Sequence, residues 1–297
     1  MWACLLLWAA GCRKANADDS VFEGMCDASA AVRVGSLWVV ASDEDDVLRV
    51  YDPAKPGPPV QTFDLDTVFP QPGERDIEAV VVSGPETWWV GSLGRDRDAD
   101  PAPSRQRRVS TTLTAREGGV DFAVGADLSD LLDRLRTAPE WAVLGPEVEQ
   151  RAPKAGGLNL EGAAMGADGT WWLGLRSPMD GPLALLAELP TLRPAELHPI
   201  DLEGRGIRDV VADGDGFLLL SGAPADAGVY SALWSWKPGT PIRKVKDLSG
   251  DLVPEALVRD SKDRWWVLSD DGSRRVNGHI CKDLPLPEQR FRARLVD

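Results

Sequence analysis

Histidine and tyrosine are nearly missing from this chain, with two of each in 297 residues, and cysteine is limited to four. The two histidines, His198 and His279, cannot build a His-rich zinc site, and no second cysteine pair is available to replace them. Positive charge is also scarce: 33 Lys+Arg stand against 47 Asp+Glu, a formal charge of −14. Such a surface makes a poor phosphate-backbone binder, because nucleic-acid affinity needs a basic footprint that releases counterions. The apolar run at the N-terminus, within residues 1–11, is too short to span a bilayer as a helix, which needs about 20 residues. Tryptophan is the exception to this scarcity. The chain has twelve, and 43% of its residues are hydrophobic, enough for a large core and too many for a disordered chain.

The uncharged stretch 1–11 reads as an export signal. Its last residues, Ala9, Ala10 and Gly11 before Cys12, resemble a bacterial lipoprotein cleavage site, making Cys12 the expected lipidation site. Residues 12–20 then form a polar tether and residues 21–297 the folded domain. The expected location is the cell envelope, on the outer membrane or facing the periplasm, with membrane contact only through the lipid; secretion is the alternative. Cys26 and Cys281 remain near opposite ends of the folded region, either as a disulfide that ties the ends together or as two buried thiols.

Internal repetition is the strongest signal in the chain. The segments DIEAVVVSGPETWWVGS from Asp76, NLEGAAMGADGTWWLGL from Asn159 and PEALVRDSKDRWWVLS from Pro254 superpose without gaps. In each, an acid (Glu78, Glu161, Glu255) precedes a tryptophan pair by ten residues. Two shorter copies begin at Cys26 and Ile207, with Ser29 and Asp209 at the acidic position. Each copy reads as strand, Gly/Asp turn, strand, and two copies continue into third and fourth strands. Four strands per unit of nearly fifty residues predict an all-β fold, a β-propeller of five blades, with six as the alternative. The long interval between the second and third copies predicts one short helix and a loop, inserted over residues 129–157, with Leu128, Leu131, Leu132 and Leu135 at helical spacing. The segment from Arg290 to Val296 is expected to be the last blade's outer strand, and the tryptophans are expected to pack blade against blade.

The ordered motifs GMCDASAAV, VASDEDDVLRVYD, DIEAV with GSLGRDRD, GLNLEGAA with GLRSP, and GRGIRD resemble the bacterial family called domain of unknown function 3616. The resemblance implies an exported, propeller-like domain and supplies no chemistry. The repeated acid-plus-small-residue signature more distantly resembles the esterase-like phytase propellers.

Equivalent inner-strand positions form a ring around a propeller's channel. Glu78, Asn159, Glu161, Asp209 and Glu255, with Asp27 and Asp76 nearby, are therefore expected to converge on one channel mouth. An oxygen-only donor set suits Ca²⁺ or Mg²⁺. The competing expectation is that these carboxylates pair with Arg75, Arg205 and Arg208 or cap inner-strand amides. Arg95, Arg176 and Arg208 are the candidate anion-binding residues, and the SDEDD run from Ser42 reads as a solvated turn. With no nucleophile motif, the leading reading is a binding or scaffold module acting through the channel mouth on a protein or small anionic ligand. A Ca/Mg-dependent hydrolase of phosphate or carboxylate esters is the alternative, and a sugar-acid lactonase a weaker one.

Overall fold

The computed structural model describes residues 19–225, 231–248 and 250–296; the expected export segment and Cys12 lie outside them. The chain forms five four-stranded antiparallel sheets around a central channel, a five-bladed β-propeller. Strand β1 (Ser20–Glu23) comes first but belongs to the last blade. Blade 1 contains β2 (Ala30–Val34), β3 (Leu37–Ala41), β4 (Val47–Tyr51) and β5 (Gln61–Asp64). Blade 2 contains β6 (Ile77–Ser83), β7 (Glu86–Gly91), β8 (Arg108–Arg116) and β9 (Gly119–Leu128). Blade 3 follows as β10 (Asn159–Met165), β11 (Trp171–Asp180), β12 (Leu183–Leu189) and β13 (Glu196–Ile200). Blade 4 has β14 (Gly206–Asp213), β15 (Gly216–Gly222), β16 (Ser231–Trp236) and β17 (Arg243–Leu248).

Blade 5 departs from chain order. It runs from β18 (Pro254–Arg259) and β19 (Trp265–Ser269), past the small ribbon of β20 (Arg275–Val276) and β21 (His279–Ile280), to β22 (Arg290–Leu295) and then β1. The C-terminal strand is thus third in its blade, and the N-terminal strand is the outermost. The expectation that residues 290–296 would form the outer edge is corrected, because β1 pairs with β22 from Ser20↔Ala293 to Glu23↔Arg290. The Cys26–Cys281 disulfide reinforces this closure.

The core lies between blades. Each blade interface holds its own apolar cluster, and the tryptophan pairs supply its largest members. Trp88 meets Trp171 across blades 2 and 3, Trp172 meets Trp236 across blades 3 and 4, and Trp38 meets Trp266 across blades 5 and 1. Sheets that splay outward around a ring leave a wedge between them, and large rings in edge-to-face contact fill it.

The insertion holds two α-helices where one was expected: α1 (Leu131–Leu135) and α2 (Trp141–Val148). Leu131, Leu132, Leu135 and Trp141 are all buried against the cluster between blades 2 and 3, so the insertion caps that wedge. The second helix escapes the periodicity because Gly145 and Pro146 interrupt its pattern. Among the described residues no helix is long and apolar enough to cross a membrane.

Candidate functional site in the channel mouth

Four of the five inner strands carry a β-bulge near their first residues. The register skips Glu78 between Ile77 and Ala79, Glu161 between Leu160 and Gly162, Arg208 between Ile207 and Asp209, and Glu255 between Pro254 and Ala256. A bulge adds an unpaired residue and re-aims its side chain, here in the same way in four blades. The repeated position is therefore Glu, Glu, Arg, Glu. Asp209, expected to share the acidic position, sits one residue later, where the other blades have Ala79, Gly162 and Ala256.

That next position is small for a reason. A Cβ on Gly162 would lie 2.6 Å from the Val210 amide nitrogen of the neighbouring blade. Asp209 uses the position differently. Its carboxylate accepts the Val210 and Leu257 amides, both at 2.7 Å, and so ties blade 4 to blade 5. Burial raises its pKa to about 7, even though both amides favour the ionised form. Asp209 is thus an inter-blade latch and not a member of a metal set.

Arg208 divides the remaining acids. Its Nη1 lies 3.0 Å from Glu161 and closer still to Glu255. Glu161 also takes Arg176 at 2.7 Å and the Asn159 side-chain amide at 2.8 Å. Burial pushes Glu255 up to about 8 against the opposing pull of Arg208. On this side the carboxylates are ion-paired, with Arg176 and Arg208 consumed in holding them.

On the other side, Asp43, Asp76 and Glu78 each bring a carboxylate oxygen within 4.8 Å of the other two. Asp43 comes from the turn after β3, so the SDEDD segment is not simply a solvated turn. Its Oδ1 is buried and has no hydrogen-bond partner. Burial first, then Glu161, Asp43 and Asp76, hold Glu78 well above the ordinary carboxylate range. Asp76 rises to about 6 through burial, opposed by Arg105 at 3.0 Å. Asp27 is pushed up to about 10 by burial and by its hydrogen bond to Asp270.

The mouth as a whole is undercompensated. Asp43, Asp76, Glu78, Glu161 and Glu255 share Arg105, Arg176 and Arg208, Arg105 also serves Glu74, and Asp270 acts on Asp43 and Glu255, so at full ionisation the acids outnumber the cations. The three clustered carboxylates are hard oxygen donors of the type Ca²⁺ and Mg²⁺ prefer.

The other predicted cations lie elsewhere. Arg95 donates to the backbone oxygens of Glu149 and Ala99 and anchors the insertion, so it does not join the mouth. Arg75 pairs with Asp46 and Asp66, and Arg205 with Glu203. Sequence reasoning did not assign Asp43 or Asp270 to the site, because neither occupies the repeated inner-strand position.

Residues 125–255 match the family model described as Protein of unknown function (DUF3616). No curated protein matches the chain. Solved structures similar to it include a putative oxidoreductase (glucose dehydrogenase) from Thermus thermophilus, at 10% identity and TM-score 0.49, covering 93% of this chain and 98% of that one. The glutaminyl cyclase of Myxococcus xanthus is similar at 11% identity and TM-score 0.43, covering 93% and 95%. Virginiamycin B lyase from Staphylococcus aureus is similar at 9% identity and TM-score 0.37, covering 86% and 68%.

Proposed function

We propose that this chain, whose residues 125–255 match that family of unknown function, is a cation-dependent binding module. Asp43, Asp76 and Glu78 would hold one hard divalent cation at the channel mouth and present it to an anionic ligand. The observation that carries the reading is the approach of these three carboxylates within 4.8 Å, with the buried Asp43 Oδ1 left without a hydrogen bond. An unsatisfied buried acceptor is costly, and a cation is a natural partner for it. Three carboxylates fill only part of the six to eight positions Ca²⁺ takes, so the ion keeps sites for an outside ligand. The ester-hydrolase reading has less support, because of the arginines it needs to orient an anion Arg208 is held by Glu161 and Glu255 and Arg95 by the Glu149 and Ala99 carbonyls.

Calorimetry with Ca²⁺ and Mg²⁺ on chelator-stripped protein should give one-site binding that Asp43→Asn and Glu78→Gln each abolish. Absence of binding in the unsubstituted protein, or binding that survives both substitutions, would end the proposal.

The lipid anchor at Cys12 is part of the same proposal. In blade 5 the mouth end is marked by Pro254, Ser269 and Arg290, and β1 runs toward it, with Glu23 opposite Arg290 and Ser20 opposite Ala293. Ser20 is level with Ala256, the residue after Glu255, so β1 begins beside the mouth row and runs past it.

A further inference from the structure

A second concave site lies between blades 3 and 4, at the opposite end of the blades from the acidic mouth. It is a cavity of about 430 Å³. The turns after β10, β14 and β16 form its rim, and Trp172, Phe217 and Trp236 form its wall. These rings make one cluster: Trp172 and Trp236 meet edge to face at 5.0 Å between centroids, and Phe217 stacks on Trp236 at 5.9 Å. The corresponding rings elsewhere, Trp88 with Trp171 and Trp38 with Trp266, lie in wedges closed by α1 and α2 or by β1. Between blades 3 and 4 no such element covers the wedge among the described residues.

The polar groups of this cavity are satisfied internally. Glu188 is buried and holds His198 at 2.9 Å and Arg193. Asp215 pairs with Lys237 across the rim, and Asp168 accepts the Thr170 amide and hydroxyl, each at 3.0 Å. Arg193 also reaches Glu196 at 3.5 Å, so a guanidinium already stands among Glu188, Glu196 and His198, where a metal ion would otherwise sit. Glu188, Glu196 and Asp215 each face a cation and Asp168 is held by Thr170, so the site has no unpartnered charged group that calls for an ion. It offers an apolar aromatic wall and a rim of hydrogen-bonding groups, which complements a ring with one apolar face and hydroxyls at its edge.

We propose that this cavity binds a neutral saccharide unit, with Trp172 and Trp236 as the apolar wall and Asp168, His198 and Asp215 as hydrogen-bonding groups. The site is separate from the cation site and does not rest on it.

The test uses the whole folded chain. Glucose, galactose, mannose and N-acetylglucosamine, alone and as short oligomers, are titrated by calorimetry and by ligand-observed NMR. At least one should bind saturably, and binding should persist in chelator and in Glu78→Gln. Trp236→Ala should weaken it about tenfold or more. Because that variant removes core packing, Ala167→Trp is the companion: Ala167 lies on the exposed rim, and a large ring there fills the cavity without removing its wall. Loss of binding in a folded Ala167→Trp protein supports the site. No saturable binding by any of these sugars, binding unchanged in Ala167→Trp, or preferential binding of tetramethylammonium or acetate in the same cavity would overturn it.

Discussion

Arg208 shows why the chemistry of the mouth was only partly legible. Matching the repeats acid to acid puts Asp209 at the ring position, but the bulge puts Arg208 there and Asp209 on the neighbouring backbone. A bulge adds one residue without changing the flanking pattern, so composition alone cannot say which of two adjacent polar residues faces the channel. The structure makes a clear demand on that arginine. Arg208 is buried between Glu161 and Glu255, and removing one partner from such a group leaves uncompensated charge. Arg208→Gln should lower unfolding free energy by about 3–5 kcal/mol in urea titrations at a pH above the raised Glu255 value of about 8. The same variant should bind Ca²⁺ more tightly, since the mouth would lose one positive charge. A loss below about 1 kcal/mol would mean that solvent reaches and screens the groups left behind.

At the scale of strands and turns, the paired-tryptophan hairpins were readable because each encodes its own periodicity and Gly/Asp turn. Asp43 was not, because it reaches the site from a turn whose sequence looks like any solvated acidic loop. The latch between β14 and β18 was foreseen only in kind, as a carboxylate capping inner-strand amides; its partner could not be named, since the acceptor and one of its donors are 48 residues apart. It gives a pH signature with a definite sign. The folded pKa of Asp209, about 7, lies above its ordinary value of 3.8, so the native state holds the proton more tightly than the unfolded chain does. Its contribution is complete below the ordinary value and is lost as pH rises through the folded value. Glu255, raised to about 8, acts in the same direction at slightly higher pH. Unfolding free energy measured in urea should therefore fall between pH 5 and pH 8.5. In Asp209→Asn the fall should be smaller, and the variant should be less stable at pH 5 by about 1–3 kcal/mol, because the new amide group cannot accept from both backbone donors. An unchanged pH slope in that variant would show that the latch stays ionised throughout.

For the molecule as a whole, ring closure is the step that local pattern could not supply. The four residues of β1 carry no periodicity of their own, and their partner strand lies at the far end of the chain. Two devices hold the closure. Phe22 is fully buried between Tyr51 and Phe291, and Cys26 is bonded to Cys281 across a sequence separation of 255. The disulfide mainly restricts the unfolded chain, whereas β1 covers the edge of β22 in the folded one. Their losses should therefore look different. The double variant Cys26→Ser/Cys281→Ser should lose about 2–4 kcal/mol of unfolding free energy yet stay folded and monomeric. A chain beginning at Gly24 keeps the bond but bares both the β22 edge and the apolar surface around Phe291. It should associate with rising concentration in sedimentation or light scattering, through pairing of the uncovered strand. If the truncated chain stays monomeric and as stable as the full one, β1 is an ornament on blade 5 and the disulfide alone closes the ring.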